Sequence, residues 1–128
     1  MEIESLIKTI IQCAYNVRMQ LAAGFLETVY QKALVIELKE KGIDAETEIP
    51  INVYYNNIVV GEFRADIIVE KKIIIELKAV QNLLPIHETQ LVNYLTATNT
   101  DHGLLINFGG ERIEIKRKFR EYKHKNNT

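Results

Sequence analysis

The stretch FRADIIVEKKIIIELKA, residues 63–79, constrains the fold more than any other part of the chain. Side chains alternate from face to face along a strand. Phe63, Ala65, Ile67 and Val69 therefore share one face of a first strand, with Arg64, Asp66, Ile68 and Glu70 on the other. Ile73, Ile75, Leu77 and Ala79 share a face of a second strand, opposite Lys72, Ile74, Glu76 and Lys78. A hairpin centred on Lys71 sets Ile67 against Ile75 and Ala65 against Leu77, and a slip of one residue would put these apolar rows on opposite faces. The turn Glu70-Lys71-Lys72 lacks the Gly or Asn that a three-residue loop prefers. The same register sets Asp66 beside Glu76, and Arg64 beside Lys78.

Two carboxylates facing each other on a sheet repel, and a charge that leaves water costs more again unless it is paired. Three remedies are open: a proton shared between the acids, salt bridges to Arg64 and Lys78, or a divalent cation, for which carboxylate oxygens are hard ligands. A satisfied ion-pair cluster on a half-exposed sheet face is the plain alternative to a functional site. Lys78 favours chemistry, because an amine two residues beyond a metal-binding acid, on the same face, can hold a water or offset charge on a phosphate.

Around this hairpin the chain shows one continuous pattern. Its 128 residues fit a single domain, 1–128, with 47% hydrophobic and 26% charged residues, as in ordinary globular proteins. No apolar run approaches the ~18 residues of a membrane helix, and the acidic start MEIESL does not read as a secretory leader. The lone Cys13 excludes an intrachain disulfide and fits a reducing, cytoplasmic setting. Ile3, Leu6, Ile7, Ile10, Ala14 and Val17 predict a first amphipathic helix, broken near Gly24. A second helix is expected from Phe25 to a glycine cap at Gly42. ETEIPINVYY and IVVGEFRADIIVE predict strands joined at Asn56-Asn57, then KKIIIELKAV a third. PIHETQLVNYLTATNT predicts a third helix, with HGLLINF and ERIEIKRKF as two last strands split by Gly109-Gly110. The expected fold class is α/β: a mixed sheet flanked by helices, with an antiparallel meander followed by a crossover to a parallel strand.

The block Asp66, nine residues, then Glu76-Leu77-Lys78 resembles the PD-(D/E)xK nuclease signature, on the two strands where that superfamily carries it. Ala65 stands where the signature has proline. GFLETVY, with Gly24, Glu27 and Tyr30, resembles the signature of the small bacterial GxxExxY family, and the similarity continues through FRAD, IIELKAV, HETQLVNYL and GLLINFG. The resemblance covers about Ile3 to Arg117. It implies a restriction-endonuclease-like core of helix, three strands, helix and strand, with an extra N-terminal helix and a C-terminal strand.

It further implies a nuclease, with Asp66, Glu76 and the backbone carbonyl of Leu77 holding Mg²⁺ or Mn²⁺, Lys78 positioning water or stabilising the transition state, and Glu27 completing or orienting the coordination. Gln90 and Tyr94 match a QxxxY arrangement that flanks such sites. Tyr30, His87 and Arg64 are supporting candidates, and without the resemblance Tyr30 reads as core. Residues 111–128 carry a net charge of +4 against −5 for the rest. Arg112, Lys116, Arg117, Lys118 and Arg120 are thus the candidate contacts to nucleic acid, DNA being the expected polymer, and residues from about 120 to 128 read as a frayed basic tail. A core this small also suits a homodimer or a subunit of a larger assembly, with the first helix as a contact surface. The alternative function is a non-catalytic nucleic-acid- or protein-binding module on the same fold.

Overall fold

Helical periodicity gives way to strand alternation at Gly42, and the chain changes architecture there. The computed structural model describes residues 1–121, so the basic tail expected from about residue 120 lies outside the described residues from 122 onward. Helices α1 (Ile3–Gln20) and α2 (Glu27–Glu40) precede β1 (Ala45–Tyr55), β2 (Ile58–Val69) and β3 (Ile73–Lys78); α3 (Pro85–Thr98), β4 (His102–Asn107) and β5 (Glu114–Phe119) follow. Gly42 adopts φ +73°, its N–H bonds to the carbonyl of Lys39, and that of Ile43 bonds to Leu38. This is the Schellman ending that a C-terminal glycine favours. The second helix starts two residues later than expected, at Glu27, because the exposed Phe25 and Leu26 belong to the turn leaving α1. Among the described residues no helix is long and apolar enough to cross a membrane.

The five strands lie in the order β1-β2-β3-β4-β5, antiparallel except for the parallel pair β3–β4 on either side of α3. Asn56 and Asn57 both have positive φ and close the β1–β2 hairpin, as a two-residue primed turn requires. The three-residue β2–β3 turn forms without such residues, and Glu70 and Lys71 take φ of 51° and 56°. Glu70 is held there from outside the turn: its N–H reaches the carbonyl of Asp44, and its carboxylate accepts the N–H of Asp44 at 2.6 Å.

Two apolar clusters sandwich the sheet. On one side α1 and α2 bury Leu6, Ile10, Tyr30 and Leu34 with Ile67, Val69, Ile73, Ile75 and Leu77. On the other, Leu91, Tyr94 and Leu95 of α3 cover Ile74, Leu105, Ile51 and Ala65. Each fully buried Leu or Ile contributes ~1.5–3 kcal/mol, so a register slip in β3 would forfeit several such terms at once. The apolar stripe of α1 lies against this core, and Tyr15 and Met19 are left outside on the helix that the sequence offered as a contact surface.

The alternation expected through β2 holds only in part. Ile67 and Val69 pack beneath α1 and α2, but Ala65 joins the α3 cluster and the Phe63 ring sits 5.4 Å from that of Tyr94. The reversal coincides with Glu48, which takes φ +54° within β1, at the one position between Thr47↔Ile67 and Ile49↔Ala65 where no bridge forms to Asp66. Ala65 and Leu77 consequently fall in different clusters rather than facing each other.

The far end of β3 is clamped by the loop after β4. The buried Asn107 amide donates to the Val80 carbonyl and to Glu114 Oε1, and its oxygen accepts the N–H groups of Val80 and Gly109. Phe108 N–H binds the Lys78 carbonyl at 2.9 Å. Gly109 lies so close that a Cβ there would stand 2.3 Å from the carbonyl carbon of Ala79. Backbone on backbone cannot yield, so Gly109→Ala is expected to lose about 1–3 kcal/mol or more in urea unfolding, whereas a loss below 0.5 kcal/mol would show that the clamp is slack.

Candidate active site

β2 pairs with β3 only through Ile67↔Ile75, Ile68↔Ile74 and Val69↔Ile73. Beyond Ile67 the carboxylates take over from the ladder. Asp66 Oδ2 accepts the N–H of Leu77 at 2.7 Å, and Glu76 Oε1 accepts the N–H of Asp66 at 3.3 Å. Each acid thus holds a backbone donor near the split, and buried N–H groups seldom go unpaired. The expected neighbouring of Asp66 and Glu76 is present in this form. Neither acid makes an ion pair with Arg64 or Lys78 among the described residues. Arg64 is exposed and donates to the Glu48 carbonyl at 3.2 Å, and the ladder ends before it could stand beside Lys78.

The acids are not on a half-exposed face. Glu76 is 5% exposed in a strand buried on both sides, and Asp66 is partly buried. Burial, then the Asp66 charge, pushes the Glu76 carboxyl up to about 8; the Asp66 N–H and the Lys78 ammonium pull it down, and Glu27 adds a smaller upward push. Burial also raises the Asp66 carboxyl, opposed by the Leu77 N–H, with Glu27 and Glu48 adding to the rise and Lys78 opposing it. Desolvation outweighs every stabilising partner at the site, so in the absence of a cation the pair retains a proton near neutrality.

Around the pair, α2 places Glu27 in its first turn, where a helix dipole favours a carboxylate. Two residues that the sequence reading did not single out also join the site. Gln31 Nε2 donates both to Glu48 Oε2 at 2.9 Å and to the Asp66 carbonyl at 2.8 Å. Glu27, Thr28, Gln31, Glu48, Asp66 and Leu77 line a cleft of about 50 Å³. Both were legible in principle. Gln31 lies four residues beyond Glu27 on one helical face, and counting back from the Asn56-Asn57 turn brings Glu48 opposite Asp66 to within one residue.

The other candidates separate into distinct roles. Tyr30 is fully buried, stacks on Phe108 at 4.8 Å, and its hydroxyl donates to the Ala22 carbonyl and accepts the Phe25 N–H. It holds the α1–α2 turn against the core. Gln90 Nε2 donates to the Tyr94 hydroxyl at 2.8 Å. Burial raises the Tyr94 hydroxyl, and the Glu76 charge adds to the effect, with a smaller part from Asp66; the Gln90 amide opposes it. Tyr94 therefore shares the field of the acids. His87 caps α3, with Nδ1 accepting the Leu84 N–H at 3.0 Å.

The basic residues of β5 are not brought to the acids; β5 is the sheet edge two strands from β3. Arg117 pairs with Glu4 at 2.8 Å, Lys118 with Glu88 and Arg120 with Asp101, each at 2.9 Å. Arg112 and Lys116 are exposed.

Among the described residues, no three His, Cys, Asp or Glu side chains stand ready-grouped for a metal ion. The donor chemistry nevertheless fits Mg²⁺ or Mn²⁺. Two neighbouring carboxylates are hard oxygen ligands, and Mg²⁺ is usually held by one or two carboxylates, with water and substrate phosphate completing its octahedron. Asp66, Glu76 and the Leu77 carbonyl would form that partial set, with Glu27 and Glu48 bordering the cleft.

A family model described as the PD-(D/E)XK nuclease superfamily matches residues 4–118. The crystal structure of SSO0001 is similar, with a TM-score of 0.57 and 24% identity over 76% of this chain and 52% of that one. That likeness concerns the fold, and the match spans about half the length of SSO0001. No curated protein matches.

The trapped proton makes stability depend on pH. The unfolded chain releases the Glu76 proton near 4.5 and the folded chain near 8. Between these values the folded state binds more protons, so stability falls as pH rises. The thermal midpoint of the metal-free protein is expected to drop from pH 4.5 to about pH 8, less so in Glu76→Gln. Mn²⁺ should raise it most at the alkaline end, where the acids are free to bind. Equal pH slopes for wild type and variant would show that Glu76 does not hold the proton.

Proposed function

Because the chain belongs to the PD-(D/E)XK nuclease superfamily, we propose that it is a metal-dependent nuclease that hydrolyses phosphodiester bonds in DNA. The observation that carries this reading is the pair of acids at the β2–β3 split, each fastened to the other strand's backbone, with Lys78 directly after. In a purely structural sheet those positions would hold apolar or ladder-paired residues, not two carboxylates that repel. Gly24, Glu27 and Tyr30 support the narrower GxxExxY assignment, with Tyr30 serving the turn that leads into Glu27.

Asp66 and Glu76 would hold Mg²⁺ or Mn²⁺, with the Leu77 carbonyl as a further ligand. When bound, the ion supplies positive charge that polarises the phosphoryl group and acidifies water at the site. Lys78 would hold the attacking water or balance charge developing on the phosphate. Its backbone is fixed by Phe108 and its neighbouring loop by Asn107, so the ammonium starts from a rigid base. Gln31 and Glu48 orient the Asp66 backbone, and the Gln90–Tyr94 pair closes the α3 side. Among the described residues of the C-terminal segment, Arg112 and Lys116 are the basic ones with exposed side chains for sequence-independent phosphate contacts. Small size and few insertions suit action as a homodimer or within a larger assembly.

Metal-dependent cleavage of DNA is expected with Mn²⁺ or Mg²⁺ and not with EDTA. Lys78→Ala and Glu76→Gln should each lower it by ~10²-fold or more while leaving the folded circular dichroism spectrum unchanged. Cleavage that survives Glu76→Gln would remove that residue from the metal site.

A further inference from the structure

α3 and the outer half of the β1–β2 hairpin enclose a groove of about 830 Å³ on the α3 side of the sheet. That size lies within the roughly 300–1,000 Å³ that accommodates a drug-sized organic molecule. Its lining combines the rings of Tyr54, Phe63 and Tyr94 with the side chains of His87, Gln90 and Asn93. Tyr54 and Phe63 are 61% and 42% exposed, and Phe63 lies 5.4 Å from Tyr94 at an interplanar angle of 41°. Among the described residues no lysine or arginine lines the groove. Aromatic faces with amide and imidazole groups, and no cations, suit flat heterocycles with hydrogen-bonding edges rather than phosphates.

The groove approaches the candidate active site through Tyr94, which lines it and shares the α3 cluster with Ile74, two residues before Glu76 on the same face of β3. The groove exists because β2 turns its side chains toward α3 beyond Asp66, which takes Phe63 out of the α1–α2 core and over Tyr94. A strand whose phosphate sat at the acids and which ran past Tyr94 into the groove would bring a neighbouring base beside these rings. In a duplex that base is paired and stacked inward, so only an unpaired nucleotide can enter.

We propose that the α3 groove binds unpaired nucleobases, and that the preferred substrate is single-stranded nucleic acid or a duplex with an unpaired tail at the scissile phosphate. This rests on reading Asp66 and Glu76 as the seat of phosphodiester cleavage. Stacking on aromatic side chains is tolerant of base identity, so little sequence preference is expected from this groove.

The test is fluorescence anisotropy with the whole chain in Ca²⁺, using oligothymidylate of about sixteen nucleotides, an abasic oligomer of equal length, and a blunt hairpin duplex. Oligothymidylate should bind at least about tenfold more tightly than the other two. Phe63→Ala and Tyr54→Ala should each remove most of that advantage, and Phe63→Trp should retain it. Both positions are exposed, and an unchanged thermal midpoint establishes that the variants fold. Cleavage by the same proteins in Mn²⁺ is followed in parallel. Equal binding of thymidylate and abasic strands, or indifference to both alanine variants, overturns the groove. So does a change of oligomeric state in Phe63→Ala without loss of nucleic-acid binding, which would make this face a contact between copies of the chain. If duplex and single strand are cut equally, the groove reading fails and the nuclease stands. If single strands bind through Phe63 and Tyr54 but no divalent ion supports cleavage, the nuclease reading fails and the groove stands.

Discussion

Two carboxylates reach across the split between β2 and β3 to take the N–H groups that a regular ladder would have used. Much of the molecule follows from this exchange. It lets the strands part after only three paired positions without leaving buried donors unpaired. It also fixes Glu76 in the buried strand β3, and Asp66 in the neighbouring β2, by their own hydrogen bonds. The cost is electrostatic: desolvation and mutual repulsion are only partly offset by two N–H groups and one ammonium. That imbalance is what a divalent cation would relieve, and what a proton relieves in its place.

The split has a partner in β1. Glu48 takes a left-handed conformation that a β-branched residue would resist, and its carboxylate is held through Gln31 to the carbonyl of Asp66. Distortions in both strands thus meet at one level of the sheet. On one side they open the small acidic cleft under α2, and on the other they carry Phe63 over to α3. The acidic cleft and the aromatic groove arise from the same irregularity.

The clamp at the end of β3 serves a related purpose. Lys78 is half-buried, and an unrestrained lysine there would swing toward water. Asn107, Phe108 and Gly109 bind its backbone and the following loop from the parallel neighbour β4. Tyr30 extends the support by stacking on Phe108 while tying the α1–α2 turn. Positive charge, by contrast, is spread along β5 and largely engaged with Glu4, Glu88 and Asp101.

Periodicity and turn chemistry made most of the fold legible. The apolar stripe of α1, the Gly42 cap, the Asn56-Asn57 turn and the alternation of Ile73, Ile75 and Leu77 each reflect a preference that operates over a few residues, and all are present in the folded chain. Asp66, Glu76 and Lys78 were legible because charges in an apolar strand demand an explanation. The inversion of Ala65 and Phe63, the early end of the β2–β3 ladder, and the parts played by Gln31 and Glu48 were not read from the sequence. Alternation assumes a regular strand, and only tertiary packing decides where a strand departs from regularity. The same holds for the β5 cations: a run of basic residues is evident in the sequence, but which acids approach it depends on how α1 and α3 lie against the sheet.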